Sequence, residues 1–481
     1  MELDAFFIPK SVALVGASRT PGKIGYVILE SIKSSFKGPI YPINPQATEI
    51  AGLIAYPNLT EVKQPIGLVV IAVPGEAVKS VVEEAIKLKI PAAVIISAGF
   101  KETGNKEGEE ELKRLVKGKI RLLGPNCLGT FCKDLDMLFL PRDRMKRPVD
   151  GSIGFITQSG AVGSTIMDDI AFEGVGVSKF ASYGNAIDVN ELELIDYLGK
   201  DLSTRAIAAY LETIHDGVKF IEICKKIVKI KPIVALKAGK TAKGTEAVLS
   251  HTGALAAPAE VYAAAFRQAG IVEAKTTEEL FDFSKVLASQ PPLRDNKIAI
   301  ITDGGGFGIL AADASIQNGL ELPELAKETV KALAAHMPEY AIAKNPVDLT
   351  GDANSERFAG AIAVVAKDPS IHGMIIIALA QVPNMEESIV DVIRDAKMHG
   401  KPIVAVMNGS EYTMKLVRRL ESFGVPVYPF AERAAKAMFA LREYGKVLDR
   451  FAPVHVTKAP ERKAEKLIAK KANKAAKKKK S

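Results

Sequence analysis

The sequence predicts an α/β chain of three domains built on largely parallel sheets. Short β-branched runs alternate with amphipathic segments almost from end to end, the pattern of βαβ units. The length, 481 residues, exceeds what one hydrophobic core fills and calls for several domains. Two motif pairs also recur in the same order. FITQSGAVG (155–163) matches IITDGGGFG (300–308), and KPIVALKAG (231–239) matches KPIVAVMNG (401–409). One Gly-rich match arises easily by chance; two ordered matches mark a duplicated fold.

The first domain is expected over 1–145, with strands near 11–16, 40–44, 68–73, 93–97 and 121–123 and a helix over 76–88. The charged, proline-bounded stretch 140–148 reads as a linker. A second domain over 146–290 opens with a strand and Gly-rich turn in 151–169 and continues through strands at 177–182, 207–211 and 233–236. After a second linker, 290–296, the third domain runs over 296–452. The Lys/Ala-rich tail 453–481 reads as a solvated helix or disorder.

Composition is globular: 48% apolar and 25% charged residues. The net charge of +8 belongs to the tail, where eleven Lys/Arg against two Glu in 458–481 give +9 and leave the body near −1. The body therefore needs no nucleic-acid or other polyanion partner. Three cysteines, an odd number without metal-ligand spacing, point to a reducing compartment and not to a disulfide framework. The short apolar run near the N-terminus has no basic leader, and no stretch approaches the roughly 20 apolar residues of a bilayer span. A cytoplasmic protein without membrane contact is expected.

The first turn, VALVGASRTPGKIG (12–25), passes from a strand through glycines to a helix, a geometry that offers backbone N–H groups to phosphate. Gly16, Gly22 and Gly25 miss the G-x-G-x-x-G spacing, and Asn44-Pro45 stands where a ribose-binding acid would close the second strand. NAD is disfavoured, while another nucleotide handle, such as the ADP end of coenzyme A, or a tight turn without ligand stays open. In the duplicated turns, Ser159-Gly160 and Gly305-Gly306 begin helices whose unpaired N–H groups and macrodipoles favour an anion. Two such termini facing each other would clamp one phosphate.

His251, in VLSHTGALA (248–256), is the candidate phosphoryl acceptor, expected on a mobile loop among small residues; an ordinary surface histidine is the plain alternative. Imidazole accepts phosphate when a carboxylate fixes its tautomer, and Glu212 at a strand end is placed for that. No histidine pair has metal spacing, so no metal site is assigned, and Cys127 reads as a turn residue without a base.

VALVGASRTPGKIG, YPINP, SAGF, RLLGPNCLG, ITQSGAVG, YLETIHDG and LSHTGALA, in this order, resemble the α subunit of ADP-forming acyl-CoA synthetases, relatives of succinyl-CoA synthetase. ITDGGGFGILAADA and NPVDLTG resemble the C-terminal ligase domain that succinyl-CoA synthetase carries on its β subunit. The arrangement is closest to archaeal-type ADP-forming acetyl-CoA synthetases. The resemblance implies a Rossmann-like CoA-binding domain followed by two flavodoxin-like ligase domains. It places CoA contacts at Gly16, Ser18, Arg19, Thr20, Pro21, Gly22, Asn44, Pro45, Ser97, Ala98 and Gly99. His251 becomes the phosphohistidine, Glu212 its partner, and Ser159, Gly160, Gly305 and Gly306 the phosphate holders. Nothing in the chain resembles the ATP-grasp domain. A separate ATP-grasp β subunit, carrying most of the contacts to Mg²⁺ and ADP or ATP in an α2β2 assembly, is therefore implied. A non-catalytic CoA-binding regulator is the competing reading, distinguished by loss of the His–Glu pair, which this sequence retains.

Overall fold

The computed structural model describes residues 3–252 and 258–452, excepting the side chains of 249–252. Three main sheets follow one another along the chain. In the first, Val12–Val15 lies between Ile40–Ile43 and Leu68–Ile71, followed by Ala92–Ile95 and Arg121–Leu123, all parallel. Val12–Val15, Leu68–Ile71 and Ala92–Ile95 are buried at every position, because helices cover both faces of a parallel sheet. That is why they read as unbroken apolar runs.

The second sheet places Val149–Thr157 between Gly176–Ser182 and Ala206–Leu211, with Ile233–Lys237 and Val272–Ala274 beyond. The third repeats this order with Ile298–Thr302 between Val347–Asp348 and Gly373–Ile377, then Ile403–Val406 and Val427–Tyr428. Counting parallel strands along the chain, all three sheets run 2-1-3-4-5. In each, the turn after the first strand therefore lies where open α/β sheets bind ligands.

The structure departs from the sequence expectation at three places. The hairpin Gly129–Cys132 and Leu135–Asp136 joins the second sheet, antiparallel to Gly176–Ser182, and so covers what would be an open edge. The stretch 140–148 is no free linker. Asp136, fully buried, accepts from Arg142 (2.7 Å) and Arg147 (2.9 Å), and Arg147 also donates to the Leu140 carbonyl at 2.7 Å. These arginines bind a buried carboxylate instead of solvating a loop. Likewise, in 290–296, Leu293 is buried and its N–H reaches the Leu441 carbonyl.

One apolar cluster runs from the first sheet into the second, and another from the second into the third. Helix Ala431–Phe451 packs on both Thr277–Ser289 and Gly305–Gln317, tying the last two sheets together. At that junction the buried Lys285 ammonium meets Glu173 (2.8 Å), Glu421 (3.1 Å) and the Val427 carbonyl (2.7 Å), over the Tyr428 ring at 4.3 Å.

Candidate functional site

The first turn is closed too tightly for side chains. Gly16 has φ +93°, and a Cβ there would lie 2.3 Å from the Ala72 carbonyl oxygen. A Cβ on Gly25 would lie 1.9 Å from the Gly16 oxygen, so helix Ile24–Ser35 starts directly against the turn. Arg19, Thr20, Pro21 and Gly22 are exposed beside it, and Ser18 Oγ accepts from the Thr20 N–H at 3.1 Å. Asn44 ties the end of the second strand to this turn by donating to the Ala17 carbonyl at 2.7 Å, with Pro45 exposed. Across the strand ends, Ser97 donates to the Val73 carbonyl at 2.5 Å, and the Gly99 N–H donates to Glu102 at 2.7 Å.

A cavity of about 850 Å³ opens between the first and second sheets. Ser97, Ala98 and Asn126 line one side; Gln158, Ser159 and Gly160 line the other. Helix Gly160–Glu173 begins there. Its N-cap Ser159 accepts from the Val162 N–H at 3.3 Å, and Thr157 Oγ1 donates to the Ser159 carbonyl at 2.7 Å. The positive helix end thus faces the cavity, a setting for an anion. Cys127 also lines it, but burial pushes its thiol up to about 12, which leaves no thiolate nucleophile near neutrality.

Behind this wall Gln158 links the cavity to Glu212. Its Oε1 accepts from the N–H groups of Glu212 (2.5 Å) and Thr213 (2.8 Å), while Nε2 donates to Thr213 Oγ1 at 3.0 Å. Glu212 is buried just past strand Ala206–Leu211. Lys237, paired in register with Leu211, is buried on the adjacent strand end, its Nζ 4.4 Å from the Tyr262 ring centre. Burial pushes its ammonium down to about 8, with Glu212 opposing the shift and Lys240 adding to it. His251 is the penultimate residue of helix Ala242–Thr252, which corrects the expected loop; its Ala-, Glu- and Leu-containing sequence supports helix. The His251 side chain lies outside the described residues. His215 holds Nδ1 2.8 Å from the buried Glu191 carboxylate, which also accepts its backbone N–H.

The duplicated terminus is different in charge. Helix Gly305–Gln317 has Gly304 at its N-cap, and Thr302 Oγ1 accepts from the Gly304 N–H at 3.0 Å. A Cβ on Gly305 would lie 2.8 Å from Asp348 Oδ2. Asp303, buried beside it, is pushed up to about 6 by burial, the Leu379 N–H opposing the shift and Asp348 adding to it. Gly305 and Gly306 are not in the wall of the 850 Å³ cavity, and neither are Gly16, the 18–22 loop, Asn44, Pro45, Gly99 or Glu212. The structure therefore joins Ser97 and Ala98 to Ser159 and Gly160 in one cavity, and leaves the second terminus apart from it. Gln158 and Asp303 occupy the same position in the two motif copies, a signal the sequence carried. Lys237 and Asp348 gave none on their own. Among the described residues, no group of three or more His, Cys, Asp or Glu side chains is arranged to hold a metal ion, and no helix is long and apolar enough to cross a membrane.

The cavity thus lies between two doubly wound units and ends on the positive terminus of a helix; three family models match the chain along its length. Residues 10–133 match a CoA binding domain, 150–287 a succinyl-CoA ligase like flavodoxin domain, and 298–445 a Ligase-CoA domain. The α subunit of an ADP-forming acetate–CoA ligase II from Pyrococcus furiosus is 36% identical over 92% of this chain and 98% of its own length. The Candidatus Korarchaeum cryptofilum acetyl-coenzyme A synthetase 1, solved with phosphate and ADP, superposes with a TM-score of 0.86 at 34% identity, covering 94% of this chain and all of that one. The ADP-forming 4-hydroxybutyrate–CoA ligase of Nitrosopumilus maritimus is 31% identical over 90% of this chain, which spans 63% of that relative's length. The chain belongs to the family of α subunits of ADP-forming acetate–CoA ligases.

Proposed function

We propose that the chain converts an acyl-CoA, phosphate and ADP into the free acid, CoA and ATP, working with a separate ATP-grasp β subunit in an α2β2 assembly. The observation that carries this reading is the cavity running from Ser97 and Ala98 to the helix terminus at Ser159 and Gly160. CoA held by the 16–22 turn, Asn44-Pro45 and Ser97–Gly99 would bring its thioester to a phosphate held at that terminus. A phosphate oxygen adds to the thioester carbonyl carbon, the C–S bond breaks, and CoA leaves as the thiolate. The imidazole of His251 then takes the phosphoryl group from the acyl phosphate, releasing the carboxylate, and delivers it to ADP on the partner. Glu212, fixed through Gln158, supports the charge that develops on the imidazole. Mg²⁺ would sit with the nucleotide on the partner, and Gly305-Gly306 would hold phosphate after the helix carrying His251 moves. A partner of this kind accords with relatives named as α subunits and with the longer single-chain relative.

The test is label transfer from inorganic phosphate in the presence of acetyl-CoA, with and without a β subunit. We expect acid-labile, base-stable label on the chain, absent in His251→Ala and reduced at least tenfold, as an order of magnitude, in Glu212→Gln. Label persisting in His251→Ala would sink the phosphohistidine step. CoA binding without any label, even with the β subunit, would favour a regulator.

A further inference from the structure

We infer that Phe139 and Leu140 form the wall that selects the acyl group by its size. This rests on the proposed ligase reading. The reacting thioester must lie within about 3–3.5 Å of the attacking phosphate oxygen. A phosphate at Ser159-Gly160 and a CoA arm passing Ser97-Ala98 therefore set the carbonyl inside the shared cavity. The acyl chain then points at the walls that neither partner uses. Phe139 and Leu140 are such walls, and both are half-buried.

These two residues belong to neither doubly wound unit. They lie in the segment between the CoA binding match, which ends at 133, and the flavodoxin-like match, which begins at 150. Phe139 packs against both apolar clusters that flank the cavity. The segment is nonetheless rigidly held. Buried Asp136 accepts from Arg142, Arg147 and the Leu138 N–H, Arg147 grips the Leu140 carbonyl, and Ser31 donates to the Leu138 carbonyl at 3.1 Å. A wall fixed from behind by an ion-paired carboxylate discriminates by size, which a mobile loop would not. Its chemistry does not favour a second carboxylate: among the described residues, no charged side chain lines the cavity, so a dicarboxylic acyl group would find no side-chain counter-ion there.

Calorimetry on the full chain tests this without requiring turnover, comparing free CoA with acetyl-, 3-methylbutanoyl-, phenylacetyl- and succinyl-CoA. The readout is the ratio of the free-CoA dissociation constant to that of each acyl-CoA. In Phe139→Ala and Leu140→Ala the 3-methylbutanoyl ratio should fall at least about fivefold, while free CoA and acetyl-CoA change less than about twofold. Leu140→Phe fills the cavity instead of emptying it, and should weaken 3-methylbutanoyl- and phenylacetyl-CoA while sparing acetyl-CoA. Succinyl-CoA should bind no better than free CoA in every form. A wild-type 3-methylbutanoyl ratio near one, ratios unchanged in all variants, or free CoA weakened as much as the acyl-CoAs would overturn the wall. Failure of the wild type to bind CoA at all would instead sink the ligase reading on which the inference stands.

Discussion

Replacing Lys285 by methionine tests whether one buried charge locks the last two sheets together. Its side chain is 1% exposed and that of Glu421 5%, whereas Glu173 is 21% exposed. Burial acts against charge on both Lys285 and Glu421, yet the Glu421, Glu173 and Asp282 carboxylates together hold the ammonium above its ordinary value. Lys285→Met leaves Glu421 buried without its counter-ion, a loss of about 3–5 kcal/mol. Glu173 can turn to water and adds little. Methionine nearly fills the lysine stem's volume, so the cavity penalty is small. At a urea slope of about 2 kcal/mol/M, the midpoint should fall by about 1.5–2.5 M. The chain has no tryptophan, so near-ultraviolet tyrosine dichroism, which includes Tyr428 at the junction, is the appropriate probe. The double variant Lys285→Met/Glu421→Gln should recover at least half of the loss, because it removes the stranded charge. A single-variant loss below about 1 kcal/mol, or a double variant no more stable than Lys285→Met, would refute the reasoning.

Gly16→Ala should both destabilise the first domain by about 2 kcal/mol or more and abolish CoA binding, since the added Cβ meets the Ala72 carbonyl at 2.3 Å and φ is +93°. Thermal unfolding and equilibrium dialysis with CoA check this; an unchanged melting temperature would show that the turn relaxes. Asp303 should make the third domain more stable as pH falls from 7 to 4. Its folded carboxyl titrates at about 6, above the ordinary unfolded value near 3.9, so its contribution is full below the latter and lost as pH rises through the former. In Asp303→Asn that slope, worth at most about 3 kcal/mol, should vanish; identical pH–stability curves for the two proteins would remove Asp303 as its source.

The sheets were legible because their strands are buried on both faces, so that Leu68–Ile71 or Ile298–Thr302 reads as an unbroken apolar run. The hairpin at 129–136 was not, since its strands are short and their pairing with Gly176–Ser182 depends on a partner far along the chain. The segment 140–148 misled for a chemical reason: arginines usually signal solvent, but here Arg147 serves a buried aspartate. At the site, the small-residue motifs announced both helix termini. What they could not announce was the cavity, whose walls come from separate stretches of the chain at residue 24 and around 73, 97, 127, 139 and 160. His251 was legible as a residue, but the helix Ala242–Thr252 that carries it was not, because Gly, Ser and Thr in the neighbourhood suggested a loop.

The duplicated units show why fold alone assigns no role. Both order their parallel strands 2-1-3-4-5 and both start a helix after the first strand, so topology gives each the same positive terminus. Side chains then divide them. The first terminus has neutral Gln158 beside it, which spends its amide holding Glu212 and leaves the helix field facing the cavity uncancelled. The second has Asp303 in the equivalent position and Asp348 on the neighbouring strand, and two carboxylates oppose any anion brought to Gly305. An anion arriving at both would therefore bind the first more tightly, with the second weakened most where Asp303 is ionised, above about pH 6. That difference is set by two residues, Gln158 and Asp303, at one repeated position; under the proposed relay it would start the transfer at Ser159-Gly160.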